Sequence, residues 1–352
     1  MTIPRWLVRA AVPIAVVVVV VSTLLLVVVL GRFDLTRALT ALWSGSIGNS
    51  YAFFSETLVR ATPLILLGLS VAIAFRAGIF NIGAEGQLLA GATAAVTVGL
   101  GFSHLPNVLL IPAELLAAGI GGALFASVAA VLKRRFGVLE VISTLMLNFV
   151  ARYAVSYLVR GPLQEPSHVY PQSATLPSTA RLPTIIPGQQ VHLGLLIALI
   201  FAGALWWSLR STAIGFRVRA VGAGPIAAAS SGRINVAHVV FRVFLVSGAI
   251  AGLAGGIEAT GVTYALYEDI SPGLGYSAIA VALLARLHPL TVVVAALFFG
   301  ALESGATAMQ RDAGVPAAFV AVIEALVILG VLAADRVRTR ITADHPAEER
   351  VA

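Results

Sequence analysis

Cysteine is absent from all 352 residues, and Lys133 is the only lysine. Without thiols there is no disulfide framework, no thiolate metal site and no cysteine nucleophile. A phosphate-binding loop needs a lysine directly after its second glycine. Lys133 follows Leu132 with no glycine loop before it, so the chain does not bind and hydrolyse ATP in that way. Charge is scarce as well, at 11% of residues, against roughly 25% in a soluble domain. The six histidines, at 104, 168, 192, 238, 288 and 345, show no His-x-x-x-His spacing, and no Gly-x-Ser-x-Gly elbow occurs. Zinc hydrolysis and one familiar serine arrangement therefore have no residues to use.

Apolar residues fill the space that charge leaves. The chain is 59% hydrophobic, with a mean hydropathy of +0.96, which places it in a bilayer as an all-α polytopic membrane protein. A span needs roughly 20 apolar residues, so a chain of this length holds about ten. The expected spans are 10–31, 58–76, 79–101, 108–131, 141–159, 192–210, 238–262, 275–288, 289–309 and 316–334. Arg5 and Arg9 before the apolar run Ala10–Leu30 resemble a signal peptide. That run exceeds the roughly 7 to 15 residues of a signal h-region, so a retained first span is expected.

Ten crossings put both termini on one side. With that side cytoplasmic, Arg32, Arg37, Arg60, Arg160, Arg181 and Arg311 fall outside and Arg152 lies within a span. The other 16 of the 23 basic residues lie inside, as the positive-inside rule requires. The formal charge of +7 is therefore spread over helix ends rather than gathered in one patch, which argues against nucleic acid as a partner.

Two loops are long. The outer one, 161–190, carries Pro162, Pro166, Pro171, Pro177, Pro183 and Pro187, so it lies extended, as a connector or as a docking surface. In the inner one, 211–237, Pro225 is suited to start a short helix through Ala227-Ala228-Ala229. The spans at 79–101 and 275–288 both open with broken, glycine-rich sequence, Asn81-Ile-Gly83 and Pro272-Gly273-Leu-Gly275. Interruptions at matching places point to two related halves, roughly 58–160 and 238–335. Glycine is also frequent in ordinary membrane helices, which is the plainer explanation.

Charged groups inside spans cost about 2.5 to 3.5 kcal/mol at mid-bilayer unless they face protein or water. Glu85, Glu114, Arg152, Glu258, Glu303 and Glu324 are such groups. Glu85, with Asn81 and Gln87, either caps a broken helix or touches a solute. Asn148 hydrogen-bonds either a ligand or a neighbouring helix. Gly248, Gly252 and Gly256 form a small-residue stripe for packing, with Glu258 beside it as a candidate functional residue.

Four segments carry a family resemblance, in order. They are Phe75-Arg-Ala-Gly-Ile-Phe-Asn81-Ile-Gly83-Ala-Glu85-Gly-Gln87, then Leu139-Glu-Val-Ile-Ser-Thr-Leu-Met-Leu-Asn148, then Arg219-Ala-Val-Gly222 with Pro225 and Ala227-Ala228, and Ala278-Ile-Ala-Val-Ala-Leu-Leu284 running to His288-Pro289. The chain resembles the permease subunits of ATP-binding-cassette importers in the branched-chain amino-acid, simple-sugar and nucleoside permease superfamily, most of all the nucleoside-type branch. The likeness covers about residues 50–335. It departs from the family pattern at Arg152, Glu303 and Glu324, where neutral side chains are usual.

That resemblance implies a type II importer fold in which a second permease subunit, expected to form a heterodimer, completes the path. It implies a cytoplasmic ATPase that holds the ATP and Mg, with no cofactor in this chain, and an extracytoplasmic binding protein or lipoprotein. The loop at 211–237 becomes the coupling element, with Arg217, Arg219, Pro225 and Arg233 as its residues. Asn81, Glu85, Gln87, Asn148, Glu258 and Ser277 become the pathway candidates. The expected parts are an N-terminal span and outer loop, 1–57, a permease transmembrane domain, 58–335, and a cytoplasmic tail, 336–352. Two other classes stay open: an ion-coupled secondary transporter using Glu85 or Glu258, and an intramembrane enzyme acting on a lipid-linked substrate.

Overall fold

In hydrocarbon every backbone N–H and C=O must be satisfied within its own segment, so apolar runs of this length fold as helices. A computed structural model of the chain describes residues 33–230, 232 and 234–316, with a few isolated positions on either side. Its helices are α1 (Leu35–Ser46), α2 (Leu58–Arg76), α3 (Ala84–Gly101), α4 (Asn107–Phe136), α5 (Glu140–Val159) and α6 (Gly194–Ser211), then α7 (Ala213–Ala223), α8 (Pro225–Ser230), α9 (Val236–Glu258), α10 (Leu274–Leu284) and α11 (Pro289–Ala313). A π turn, Ala52–Thr57, leads into α2, and another, Ala259–Thr263, follows α9.

The expectation of about ten spans is corrected to six. Among the described residues, six helices are long and apolar enough to cross a membrane: α2 with its π turn, α4, α5, α6, α9 with its π turn, and α11. The segment 79–101 falls short because it is non-helical up to Gly83 and its helix then opens on Glu85 and Gln87. At 275–288 the helix has only 11 residues, about 16 Å at 1.5 Å per residue, or half of a roughly 30 Å hydrocarbon core. Arg286 and Leu287, both with positive φ, end it. The expected spans 10–31 and 316–334, with the tail 336–352, lie mostly or wholly outside the described residues.

The chain divides into two compact units, 1–52 with 302–352, and 53–301. In the smaller one Asp34 caps α1 by accepting from the N–H groups of Thr36 and Arg37, and the Ser304 hydroxyl donates to the Gly45 carbonyl. All the candidate site residues lie in the larger one.

Within the larger unit α2 is enclosed, with Leu64, Ile65, Leu66 and Leu67 fully buried. A helix apolar all round belongs inside, not against lipid. By contrast α4 buries one face and exposes Leu116, Ile120 and Leu124 along another. The helices α3, α4 and α9 meet almost backbone to backbone. A side chain at Gly252 would strike Gly122 Cα at 2.8 Å and the Ala118 carbonyl. One at Gly91 would strike Gly252 itself. The Gly248-Gly252-Gly256 stripe is thus a packing seam, as small residues at four-residue spacing allow.

The helix packing is pseudo-two-fold. A long helix, a break and a second helix occur twice, as α2–α3 and as α9–α10. Each second helix packs on the other half's long helix, α3 on α9 and α10 on α2, while α3 barely touches its own α2. At the crossing of the two long helices the Ser70 hydroxyl donates to the Ser247 carbonyl (2.7 Å) and the Ser247 hydroxyl to the Ser70 carbonyl (2.9 Å).

Candidate functional site

The first N–H groups of a helix have no partner within it, and both broken helices begin deep in the protein. The site grows from how those donors are satisfied. At the start of α3 the N-cap is Gly83, which has no side chain to offer. Asn148 of α5 takes that role: its Oδ1 accepts from Gly86 N–H at 2.9 Å, and its Nδ2 donates to the Ile82 carbonyl at 2.9 Å. The same Nδ2 reaches the Tyr276 hydroxyl at 3.1 Å. At the start of α10 the N-cap is Gly273, with φ of 99°. Here the Glu85 carboxylate accepts from Gly273 N–H at 3.3 Å and Gly275 N–H at 2.6 Å. A side chain at Gly275 would collide with the Glu85 backbone.

Beside these caps Asn81 and Gln87 form a reciprocal amide pair, each amide nitrogen donating to the other's oxygen at 3.1 Å. Asn81 also donates to the Ser247 hydroxyl at 2.9 Å and accepts from Gly83 N–H at 3.0 Å. Its four hydrogen-bonding positions are filled, and it is wholly buried. The structure therefore brings Asn81, Glu85, Gln87 and Asn148 into one junction, with Ser277 half-buried next to Tyr276. Glu258 stands apart, half-buried at the far end of α9.

Sequence reasoning passed over a second feature. Asn148, Arg152, Ser156 and Arg160 recur at i+4 along α5 and its C-cap residue, and all four engage the segment 268–276. Arg152 pairs with Asp269 at 2.8 Å, Ser156 donates to Glu268 at 2.6 Å and Arg160 pairs with Glu268 at 2.7 Å. The four-residue spacing of polar residues was the available signal. It accounts for Arg152, whose charge answers Asp269. Around this stripe Tyr153, Tyr157 and Tyr276 are 72%, 72% and 40% exposed. Glu303 is half-buried on α11, and Glu324 lies outside the described residues.

The Ser156 hydroxyl and then the Arg160 guanidinium hold the Glu268 carboxyl below its ordinary range. A depressed carboxyl stabilises above its unfolded pKa, about 4.3, and that contribution is lost as pH falls through the lower folded value. Residues 264–273 are therefore expected to stay anchored at pH 7 and to loosen only below about pH 4. Hydrogen exchange, corrected for its intrinsic pH dependence, checks this; Glu268→Gln should exchange faster at neutral pH and lose the acid response.

The proline-rich loop 161–190 is anchored as well as extended. Ser173 N–H donates to the Leu266 carbonyl, Leu176 N–H to Tyr264 and Leu182 N–H to Thr260, at 2.7 to 2.9 Å. Arg181 lies over the Tyr264 ring at 4.6 Å.

At the opposite end, Thr212 caps α7 by accepting from Gly215 N–H at 3.1 Å, and α8 begins at Pro225. Gly222 of α7 touches the Arg76 carbonyl at the end of α2, leaving no room for a side chain. Arg76 in turn donates to the Leu287 carbonyl at 2.8 Å. Arg76, Arg210, Arg219 and His288 line a cavity of about 230 Å³. Arg217 sits on the exposed side of α7, and Arg233 lies outside the described residues.

Six apolar helices and crossed halves with broken helices, with Arg217 and Arg219 on the short helix α7 at one end, fit the membrane-embedded permease subunit of an ATP-binding-cassette importer that the family match shows. The chain belongs to the family described as branched-chain amino acid transport system / permease component, which matches residues 53–332. It is similar to a glucose ABC transporter permease protein of Haloferax volcanii, 39% identical over 93% of this chain and 88% of that one. It is similar to a guanosine ABC transporter permease protein of Bacillus subtilis, 37% identical over 93% and 94%. A nucleoside ABC transporter permease protein of Lactococcus lactis is 30% identical over 82% and 80%. Sugar and nucleoside transporters thus stand side by side among the relatives, and no single branch stands out.

Proposed function

We propose that this permease carries nucleosides, or a related small polar solute such as a simple sugar, inward across a bacterial plasma membrane. Both termini would face the cytoplasm. A second permease subunit completes the path, an extracytoplasmic binding protein or lipoprotein delivers the solute, and a cytoplasmic ATPase drives alternating access. The observation that carries the nucleoside reading is the band of exposed Tyr153, Tyr157 and Tyr276 around the polar stripe of α5. Aromatic faces take a nucleobase by stacking, worth about 1 to 3 kcal/mol per base, and the stripe's charges and amide suit its polar edge. Asn81, Glu85 and Gln87 hold the two helix starts that frame this band, and Ser277 lies beside it. Glu258 would act at the outer end.

ATP-dependent guanosine uptake into proteoliposomes holding the assembled transporter tests this. Tyr153→Ala is expected to lower guanosine uptake about tenfold with membrane insertion intact. Uptake of glucose but not guanosine would overturn the nucleoside reading; uphill uptake without the ATPase would overturn the importer mechanism.

For coupling, α7 and α8 present Arg217, Arg219 and Pro225, and would carry Arg233 just beyond, to the ATPase. The double variant Pro225→Gly with Arg219→Glu is expected to insert normally and to uncouple ATP hydrolysis from transport; normal uptake would refute the coupling role. The cysteine-free sequence makes orientation easy to read. A cysteine at exposed Ser230 should label only from the cytoplasmic side, and one at Val169 only from outside.

A further inference from the structure

Between the foot of α9, the start of α7 and the last turns of α2 lies a cavity of about 320 Å³ whose walls change character along its length. His238, Arg242 and Val246 recur at i+4 on α9 and so share one face. From His238 to Val246 is about 12 Å at 1.5 Å per residue. The end nearest the start of α9 carries His238 and Arg242, joined by Arg217 of α7 and set among apolar side chains that include Ile234 and Val239; the other end is Val243, Val246 and Ile73. Neither Arg217 nor Arg242 makes an ion pair with a carboxylate among the described residues. Val246 is 44% exposed, so the apolar end opens to the outside of the helix bundle.

We propose that this cavity holds one anionic phospholipid of the cytoplasmic leaflet. Its phosphate sits on the Arg242 guanidinium and the His238 ring, and one acyl chain runs along Val243, Val246 and Ile73. A cationic mouth with no carboxylate partner among the described residues selects an anionic headgroup, and apolar residues that open to the outside of the bundle select a chain. A free anion would use only the mouth. So would an acidic segment of the ATPase. The assignment to the inner leaflet rests on the orientation proposed above, but headgroup preference in detergent does not. A Ser230 cysteine labelled only from outside would remove the leaflet and leave the site.

The test is native mass spectrometry of the purified full chain after exchange with equimolar phosphatidylglycerol and phosphatidylcholine of identical chains. One phosphatidylglycerol should be retained in preference. Arg242→Ala should weaken retention about fivefold, Arg242→Ala with His238→Ala should weaken it further, and Arg242→Lys should keep most of it. Val243→Trp, which fills the apolar end, should lose the lipid with the cations untouched. Equal retention of both headgroups, or unchanged retention in Arg242→Ala, overturns the proposal. Competition by inorganic phosphate or dihexanoyl phosphatidylglycerol as strong as by the long-chain lipid overturns it as well, since the apolar wall is then unused. Protection of Arg242 from phenylglyoxal by added ATPase but not by phosphatidylglycerol would assign the mouth to the protein partner instead.

Discussion

Gly252→Leu is expected to leave almost no folded permease, read as loss of the monodisperse peak in fluorescence-detected size exclusion. The added Cβ alone would meet Gly122 N at 2.9 Å and Gly122 Cα at 2.8 Å, and it would overlap the Ala118 carbonyl. These are backbone atoms of α4, held by that helix's own hydrogen bonds, and no rotamer change relieves them. Overpacking a core costs about 1 to 3 kcal/mol when side chains can shift. Here they cannot, so the cost should exceed about 3 kcal/mol. Gly252→Ala should fall between wild type and leucine in thermal midpoint. Gly203, half-buried but with open space where a side chain would go, supplies the control: Gly203→Leu should leave the peak unchanged.

Glu85→Ala is the second large effect. It strips the only side-chain acceptor that the Gly273 and Gly275 N–H groups have among the described residues, in a place where Glu85 is only 7% exposed. Each buried donor left unpaired costs about 1 to 3 kcal/mol, so the variant should lose about 2 to 6 kcal/mol and all transport. Glu85→Gln keeps one good acceptor and should retain a folded protein with reduced uptake. A Glu85→Ala protein with wild-type thermal stability and lost uptake would mean that the carboxylate serves the solute rather than the helix start.

Much of this was legible in the sequence, for reasons that also mark where reading stops. The six spanning helices announce themselves because hydrocarbon demands length and apolarity, which a single run displays. The short α10 does not: Ala278–Leu284 is as apolar as any span, and what ends the helix is left-handed backbone at Arg286 and Leu287, which those residue types do not signal. Asn81, Glu85 and Gln87 could be grouped because they are neighbours in the chain. Their partners could not, since Ser247, Gly273 and Gly275 arrive from the other half and periodicity speaks only of a residue's own helix. Arg152 shows the intermediate case. Alone it reads as an ill-placed charge. Set in the series Asn148, Arg152, Ser156, Arg160, it reads as one step of a ladder whose other rail is Glu268 and Asp269.

Gly222 has a mechanical consequence. Because α7 meets the Arg76 carbonyl with no side chain interposed, nothing compressible lies between the arginine-bearing surface helix and the innermost helix of the bundle. A stroke delivered to α7 must move the end of α2 with it or tear the contact open. Any bulk added at that spot would act as a shim, setting the linkage to one length for the whole cycle.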